Sequence, residues 1–181
     1  LCTNSKFCVE KTYVVNLNRR IHRYYKFKDY ALKDFGFIEN IDYFRFNAID
    51  GSTLNMASPT IQSLFRIDKE SLKNMRNPYR DHGFRPGVIG CSLSNIAIWF
   101  ELAKRHDLSM NDAFLILEDD VWFSDNFINR WKIIYQNIIY DNKWDFFYLG
   151  YSTDYDIYQD NYVYDNVKQF SRHERSIGGG T

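Results

Sequence analysis

The stretch AFLILEDDVWF, from Ala113 to Phe123, decides the fold of this chain. Five apolar residues lead directly into three adjacent carboxylates, and apolar residues resume at Val121. An uninterrupted apolar run of this length is typical of a strand that is buried on both faces of a parallel sheet. Adjacent carboxylates repel one another, and a carboxylate removed from water without a partner is costly. The stretch therefore predicts a buried strand over residues 113–117 that ends at a candidate site.

The segments on the N-terminal side predict two more strands with a helix between them. The β-branched and aromatic run Thr12–Leu17 predicts the first strand, and Tyr43–Ile49 predicts the second. Between these strands, apolar residues at helical spacing predict a helix that ends at Gly36. Its predicted inner face consists of Ile21, Tyr24, Tyr25, Lys28, Leu32 and Phe35.

The remaining segments continue this alternation of helices and strands. A helix is predicted to begin near Gly90 or Cys91, and another follows a cap at Ser124 or Asp125. The apolar face of the second helix consists of Phe127, Trp131, Ile134 and Ile138. The run WDFFYLG, residues 144–150, predicts a last buried strand. Helices that alternate with apolar strands predict a single α/β domain across residues 1–181, with a mainly parallel sheet flanked by helices.

Composition and charge exclude several classes of protein. The 181 residues include 23 Lys plus Arg and 23 Asp plus Glu, so the formal net charge is zero and no nucleic-acid partner is predicted. No apolar run approaches the roughly 20 residues that span a bilayer, so no transmembrane segment is predicted. Cys2 and Cys8 could form a disulfide, whereas Cys91 is expected to be a buried free thiol. The cellular compartment stays open, because nothing favours cytoplasm over a secretory lumen.

The three acids have a functional interpretation and a structural one. If the chain stays extended, the side-chain period of two places Glu118 and Asp120 on one side and Asp119 on the other. Two carboxylates at a strand end suit Mg²⁺ or Mn²⁺, which bind few protein ligands and leave positions for substrate phosphates. The alternative is a cap, in which Asp119 or Asp120 starts a turn and the other acids are solvated.

Polar residues also follow the other two predicted strands. The segment NLNRR, residues 16–20, could contact a nucleotide and its phosphates, because guanidinium groups bind phosphate oxygens bidentately. Asp50 could accept from a base N–H or a ribose hydroxyl group. The alternatives are a solvated helix start and an Asp-Gly turn, respectively. Ligands bind beyond the carboxyl ends of the strands in sheets of this kind, so both segments are candidates.

A glycine-containing segment, GVIGCSLSN, begins the next predicted helix at residues 87–95. Gly87 and Gly90 allow a close backbone approach, and a helix start there would present free N–H groups to an anion. The segment lacks the G-K-[ST] sequence of a P-loop, and no G-x-G-x-x-G follows the first strand. No CxxC or HExxH motif occurs, so a zinc site is disfavoured.

The order and spacing of five motifs carry a resemblance to a known family. The motifs are YVVNLNRR, FNAIDG, GVIGCSLSN..IW, LILEDDVWF and WDFFYLG. The chain resembles glycosyltransferase family 25 from about Lys11 onward; that family includes lipooligosaccharide glycosyltransferases and procollagen galactosyltransferases. The resemblance implies a GT-A-like, Rossmann-like domain that binds a nucleotide-diphosphate sugar, commonly a UDP-sugar. It further implies inverting transfer of a hexose, galactose or glucose, to a hydroxyl group of a glycan, lipid-linked saccharide or protein.

The resemblance also implies roles for individual residues. The EDD sequence looks like the family's DxD-type motif, in which Asp120 would bind Mn²⁺ (or Mg²⁺) and Glu118 would reach the ion or the ribose through water. A metal there would offset the charge that builds on the departing diphosphate. The implied donor-binding residues are Asn16, Leu17, Arg19, Arg20, Asp50, Gly51, Gly90, Ser92, Asn95, Glu118 and Asp119.

Two departures from the family pattern affect this interpretation. The family usually has His where this chain has Asn95, and Asn cannot carry charge. An inverting transferase needs a carboxylate base, and Asp154 is a candidate here. The chain is expected to be truncated at the C-terminus, in which case the base lies beyond Thr181. Two alternatives therefore stay open: a catalytically inactive glycosyltransferase-like module that binds a nucleotide sugar or a protein, and a metal-dependent phosphoesterase.

Overall fold

Helices and strands alternate along the chain, as the sequence predicts. The computed structural model describes residues 5–67, 85–109, 112–138, 145–147 and 149. Its elements are β1 (Lys11–Asn16), α1 (Ile21–Phe35), β2 (Phe44–Asn47), α2 (Pro59–Phe65), α3 (Pro86–Ala103), β3 (Phe114–Glu118) and α4 (Phe127–Ile138). Short 3-10 turns follow β1 and β2 at Asn18–Arg20 and Gly51–Thr53. Of the strand predicted at residues 144–150, residues 145–147 and 149 are described and form bends or irregular chain rather than a strand, and the other three lie outside the described residues.

The three described strands form a parallel sheet in the order β2-β1-β3. Val15 of β1 pairs with Phe46 of β2 and with Glu118 of β3. Because all three strands run in the same direction, their carboxyl ends meet at one edge of the sheet. The register therefore places the residues that follow Val15 and Glu118 next to each other. These observations confirm the predicted α/β fold with a mainly parallel sheet flanked by helices.

Helix α1 covers the sheet with a narrower apolar face than the sequence suggests. Tyr24, Phe27 and Ala31 are at most 3% exposed, whereas Tyr25 and Leu32 are 59% and 52% exposed. The prediction that these last two face inward is wrong, because each lies roughly 100° around the helix from the buried stripe. The helix ends as predicted at Gly36, whose φ of 64° and N–H bond to the Leu32 carbonyl form a left-handed C-cap.

Helix α3 begins at Pro86, four residues before the predicted start at Gly90 or Cys91. Proline is favoured at the first helical position because its missing N–H is not needed there. A Cβ atom on Gly90 would lie 2.6 Å from the Gly51 nitrogen, and one on Gly51 would lie 1.6 Å from the Pro86 carbonyl oxygen. The first turns of α3 therefore pack directly on the backbone that follows β2, which only glycine at both positions allows.

By length and composition, α3 is the one helix among the described residues that could cross a membrane. It has 18 residues and a mean hydropathy of 1.2. This is weak evidence for a membrane span, because core helices of globular domains meet the same criteria. Its buried residues are Ile89, Gly90, Ser94 and Ile98.

The chain divides into two compact units, residues 1–123 and 124–181. The first unit contains the sheet and helices α1 to α3. In the second unit α4 buries Phe127, Trp131 and Ile134, which confirms three members of its predicted apolar face. The prediction of a single domain across the chain stays a prediction.

The cysteines differ partly from expectation. Cys8 is disulfide-bonded, and its predicted partner Cys2 lies outside the described residues. Cys91 is free but exposed, so the prediction of a buried thiol is wrong. Gly90, Ser94 and Ile98 form the inner face of α3, and Cys91 lies roughly 100° around the helix from Gly90.

Candidate functional site

Asn16 ends β1 at the centre of the candidate site and is 1% exposed. Its Nδ2 donates to the Arg20 carbonyl at 3.1 Å and to Asp119 Oδ2 at 2.6 Å. Its Oδ1 accepts from Arg45 Nε and Nη2 at 3.0 and 2.8 Å. Both amide donors and both oxygen lone pairs are thus in use. In this arrangement Asn16 joins the ends of β1, β2 and β3, and its predicted contact with a donor stays a prediction.

Arg23, in the first turn of α1, binds two of the three acids. Its Nη2 lies 2.7 Å from Asp119 Oδ1 and also pairs with Asp120 Oδ2. Asp119 has a side chain that is 9% exposed and is held by Asn16 as well, whereas the Asp120 side chain is 54% exposed. Asp119 is therefore a fixed part of the sheet edge, whereas solvent and ligands can reach Asp120.

Glu118 lies close to Asp120 and to α3. Partial loss of water around its carboxyl group, together with the negative charge of Asp120, raises the pKa of Glu118. Cys91 Sγ donates a weak hydrogen bond to Glu118 Oε1 at 3.8 Å. Repulsion between two nearby carboxylates is the condition that a bound cation relieves.

Arg19, which follows β1, and Asp50, which follows β2, form an ion pair. Arg19 Nε and Nη2 donate to the two Asp50 oxygens, the second at 3.4 Å. Asp50 also accepts from the backbone N–H and hydroxyl of Ser52, at 2.9 and 2.6 Å. The guanidinium of Arg19 and then these Ser52 donors lower the pKa of Asp50 to about 2. Asp50 is thus both an ion-pair partner and the cap of the Gly51–Thr53 turn, as the alternative Asp-Gly turn predicts.

Helix α3 begins earlier than predicted, so its first residues make different contacts from those that the sequence predicts. Gly90 lies one turn inside the helix, so the prediction of free N–H groups near Gly90 and Cys91 is wrong. Ser94, which the sequence analysis did not single out, is fully buried; its Oγ donates to the Gly90 carbonyl at 2.7 Å and accepts from Ile49 N–H at 2.8 Å. Asn95 Nδ2 donates to the Cys91 carbonyl at 3.1 Å. The predicted donor contacts of Gly90, Ser92 and Asn95 stay predictions.

The residues at this edge suit a magnesium- or manganese-type ion better than a metal bound wholly by protein. No group of three or more His, Cys, Asp or Glu side chains converges within the described part of the chain. Mg²⁺-type ions commonly use one or two carboxylates and take the rest of their oxygen ligands from phosphates and water. Glu118 and Asp120 supply two such carboxylates, so the donor set fits.

Comparison with known sequences identifies the family to which the chain belongs. The model of a family described as glycosyltransferase family 25 (LPS biosynthesis protein) matches residues 9–178. The chain belongs to glycosyltransferase family 25. The family match confirms the resemblance on which the residue roles were assigned. No solved structure matches the chain.

Curated relatives of this family 25 chain include both enzymes and inactive proteins. It is 32% identical over 105 residues to inactive glycosyltransferase 25 family member 3 of Mus musculus, covering 58% of this chain and 16% of the relative. It is 28% identical over 146 residues to procollagen galactosyltransferase 2 of Homo sapiens, covering 80% and 21%. It is 29% identical over 140 residues to procollagen lysyl hydroxylase and glycosyltransferase of Acanthamoeba polyphaga mimivirus, covering 74% and 14%. The chain spans about a fifth or less of these relatives.

Most predicted site residues of the family 25 chain lie at the edge formed by the strand ends. Hydrogen bonds and ion pairs connect Asn16, Asp119 and Asp120, the last two through Arg23. Arg19 and Asp50 form a separate ion pair, and Asp154 lies outside the described residues. Leu17 is half-buried, and the Arg20 side chain is exposed, with its carbonyl bonded to Asn16.

Sequence reasoning missed Arg23, Arg45 and Ser94. The side-chain alternation of β2 sets the face on which Arg45 lies, and Ser94 lies one turn after Gly90 on the same helix face. The spacing of residues in the sequence was therefore sufficient to single out both positions. The role of Arg23 could be recognised only from the three-dimensional structure, because its contact with Asp119 depends on the register of β1 against β3.

Proposed function

We propose that this family 25 chain carries the donor-binding part of an inverting hexosyltransferase that uses a nucleotide-diphosphate sugar and a divalent cation. The observation that supports this most directly is the acidic pair Glu118 and Asp120 at the carboxyl edge of a parallel sheet. Partial loss of water around its carboxyl group and then the negative charge of Asp120 raise the pKa of Glu118, and repulsion between nearby carboxylates is what a bound cation relieves. The name of the human relative favours galactose as the sugar and a protein hydroxyl group as acceptor.

In the proposed reaction, the acceptor oxygen attacks the anomeric carbon while the bond from that carbon to the diphosphate oxygen breaks. The proton of the acceptor hydroxyl passes to a carboxylate base, for which Asp154 is the candidate within this chain, and the nucleoside diphosphate leaves. A Mn²⁺ or Mg²⁺ ion held by Asp120 and Glu118 would supply Lewis-acid stabilisation of the diphosphate.

The chain's own residues would bind and orient the donor around this pair. Arg19 and Arg20 follow β1, and their guanidinium groups are exposed at the sheet edge, as phosphate recognition requires. Asp50 is held by Arg19 and Ser52, which keeps its carboxylate ionised and fixed for accepting from a nucleoside hydroxyl or N–H group. Leu17 and the backbone around Gly51 and Gly90 would form the floor of this donor pocket.

A thermal-shift screen of nucleotide sugars, with and without Mn²⁺, tests the binding step. A donor that binds the folded chain raises its melting temperature in proportion to RT ln(1 + [L]/Kd). We expect a UDP-hexose to give a shift that depends on Mn²⁺, and Asp120→Ala to remove it. Asp29→Ala is the matched control, because it removes an exposed carboxylate on α1 away from the site. A Mn²⁺-dependent shift that survives in Asp120→Ala would contradict the assignment of the ion to Asp120.

A catalytically inactive module that binds a nucleotide sugar or a protein is the second candidate. It is favoured by Asn95 in place of the family's usual His and by the relative from Mus musculus that is named inactive. Donor hydrolysis or transfer separates the two candidates: an enzyme releases nucleoside diphosphate in the presence of Mn²⁺, whereas a binding module shows the thermal shift without turnover.

A further inference from the structure

Arg23 is placed between the two aspartates of the acidic motif. One nitrogen of its guanidinium group, Nη2, pairs with Asp119 Oδ1 at 2.7 Å and with Asp120 Oδ2. The Arg23 side chain is 28% exposed, so the pair lies at the boundary between the protein and solvent. Its positive charge offsets part of the repulsion between carboxylates that the sequence of this motif creates.

The two aspartates hold Arg23 unequally. Asp119 is 9% exposed and also accepts from Asn16 at 2.6 Å, so its position is fixed by two elements of the fold. Asp120 is 54% exposed, and within the described residues its only hydrogen bond is the one from Arg23. Exposed ion pairs contribute little to stability, so a divalent cation can replace Arg23 at Asp120 at small cost.

We propose that Arg23 is the resident counter-cation of the acidic motif: it holds Asp120 when no divalent ion is present, and a divalent ion binds by taking Asp120 from it. Asp119 keeps Arg23 in place throughout. Arg23 is thus a positioning residue that sets the affinity for the ion. This inference rests on the proposed function, in which Asp120 and Glu118 bind that ion.

Two physical effects act in the same direction on that affinity. Arg23 competes directly for the Asp120 carboxylate, and its positive charge repels an arriving cation. Removing the guanidinium group should therefore strengthen ion binding, whereas ordinary structural damage at a binding site weakens it. The sign of the change distinguishes a counter-cation from a residue that only supports the fold.

Titration of the chain with Mn²⁺ in the absence of nucleotide measures the sign of this change. The EPR signal of the free ion reports how much Mn²⁺ is bound. We expect Arg23→Gln to bind Mn²⁺ several-fold more tightly than the native chain. Arg23→Lys should give an intermediate affinity, because the ammonium group keeps the positive charge but, being strongly hydrated and on a flexible stem, holds the two carboxylates less firmly. Lys28→Gln is the control, since it removes a cation of the same helix that pairs with Glu39 instead, and it should change the affinity little.

Circular dichroism without metal establishes which variants are folded, and Arg23→Lys carries the test if Arg23→Gln is not. An affinity for Mn²⁺ that is unchanged or weaker in the folded Arg23 variants, while Asp120→Ala abolishes binding, overturns the role of Arg23 and leaves the proposed metal site intact. Binding that is insensitive to Asp120→Ala, or absent from the native chain and both Arg23 variants, overturns the proposed metal site and the role of Arg23 with it.

Discussion

Asn16 and Asp119 are 103 positions apart in the sequence, yet the Asn16 amide donates a 2.6 Å hydrogen bond to the Asp119 carboxylate. The sheet register explains the contact: Val15 of β1 pairs with Glu118 of β3, so the next residue of each strand extends past the same edge. The three acids are therefore not equivalent. The middle one belongs to the framework of the fold, and this leaves Glu118 and Asp120 to meet a ligand.

Replacement of Asn16 by Ala should destabilise the chain strongly. The change removes partners from Asp119 and Arg45, both of which are charged, and leaves the Arg20 carbonyl without its side-chain donor. We expect a loss of about 2–3 kcal/mol in the free energy of unfolding, the range for hydrogen bonds to charged or buried groups. Urea denaturation followed by circular dichroism measures it.

Asn18→Ala is the matched control for this prediction. Asn18 is exposed and accepts one hydrogen bond, from Arg45 Nη2 at 2.7 Å. Its removal should cost at most about 1 kcal/mol, since water can replace a partner at an exposed group. Equal losses in the Asn16 and Asn18 variants would contradict the central position of Asn16 at the strand ends.

The glycines of α3 should respond in opposite directions to the same substitution. A Cβ at position 90 would lie 2.6–2.9 Å from backbone atoms of Ile49 and Gly51, which cannot move aside as a side chain can. Gly90→Ala should therefore lower the free energy of unfolding by about 1–3 kcal/mol, as overpacking does. Gly87→Ala meets no atom within 4 Å and should raise it by up to about 1 kcal/mol, because alanine favours the helix. Thermal melts measure both effects. Melting temperatures of the two variants that shift in the same direction from the native value would contradict the close packing of α3.

Ser94 should be more important to the fold than Ser92, although the sequence pattern pointed to Ser92. Ser94→Ala leaves the partly buried N–H of Ile49 without its acceptor, which costs about 1–3 kcal/mol. Hydrogen exchange at the Ile49 amide should accelerate in this variant. Ser92→Ala should leave both stability and that exchange rate near native values, because Ser92 is only half-buried. Unchanged exchange at Ile49 in Ser94→Ala would refute the contact.

The fold could be predicted from the sequence because its signals are local. The apolar run before Glu118, the β-branched run before Asn16 and the glycine after α1 each encode an element directly. Long-range contacts are not encoded in this way. The pairing of Arg23 with Asp119 depends on strand register, and the exposure of Leu32 depends on how α1 rotates on the sheet. Pro86 at the first helical position marks the start of α3, whereas apolar periodicity alone places that start at Gly90 or Cys91.

The ion pair between Arg19 and Asp50 predicts a specific dependence of stability on pH. Arg19 and then Ser52 lower the pKa of Asp50 from 3.8 to about 2 in the folded state. A carboxyl group whose folded pKa is depressed contributes stability above its unfolded pKa and loses it as the pH falls through the folded value. The difference in unfolding free energy between the native chain and Asp50→Asn should thus be constant near neutral pH and shrink between pH 3.8 and about 2.

Urea denaturation of both proteins at pH 6, at about pH 4 and at about pH 3 measures this difference across the window that linkage predicts. Carbon NMR of the Asp50 carboxyl supplies the matching site-specific measurement. Arg19→Gln removes the larger cause of the shift, so the pKa of Asp50 should rise in that variant toward 3.8. Lys28→Gln removes a cation that pairs with Glu39, so it should leave the pKa of Asp50 unchanged. A pKa that stays near 2 without Arg19 would assign the shift to the Ser52 donors and would mean that the guanidinium group is not committed to Asp50. Arg19 would then be available for the phosphates of a donor even before Asp50 is displaced.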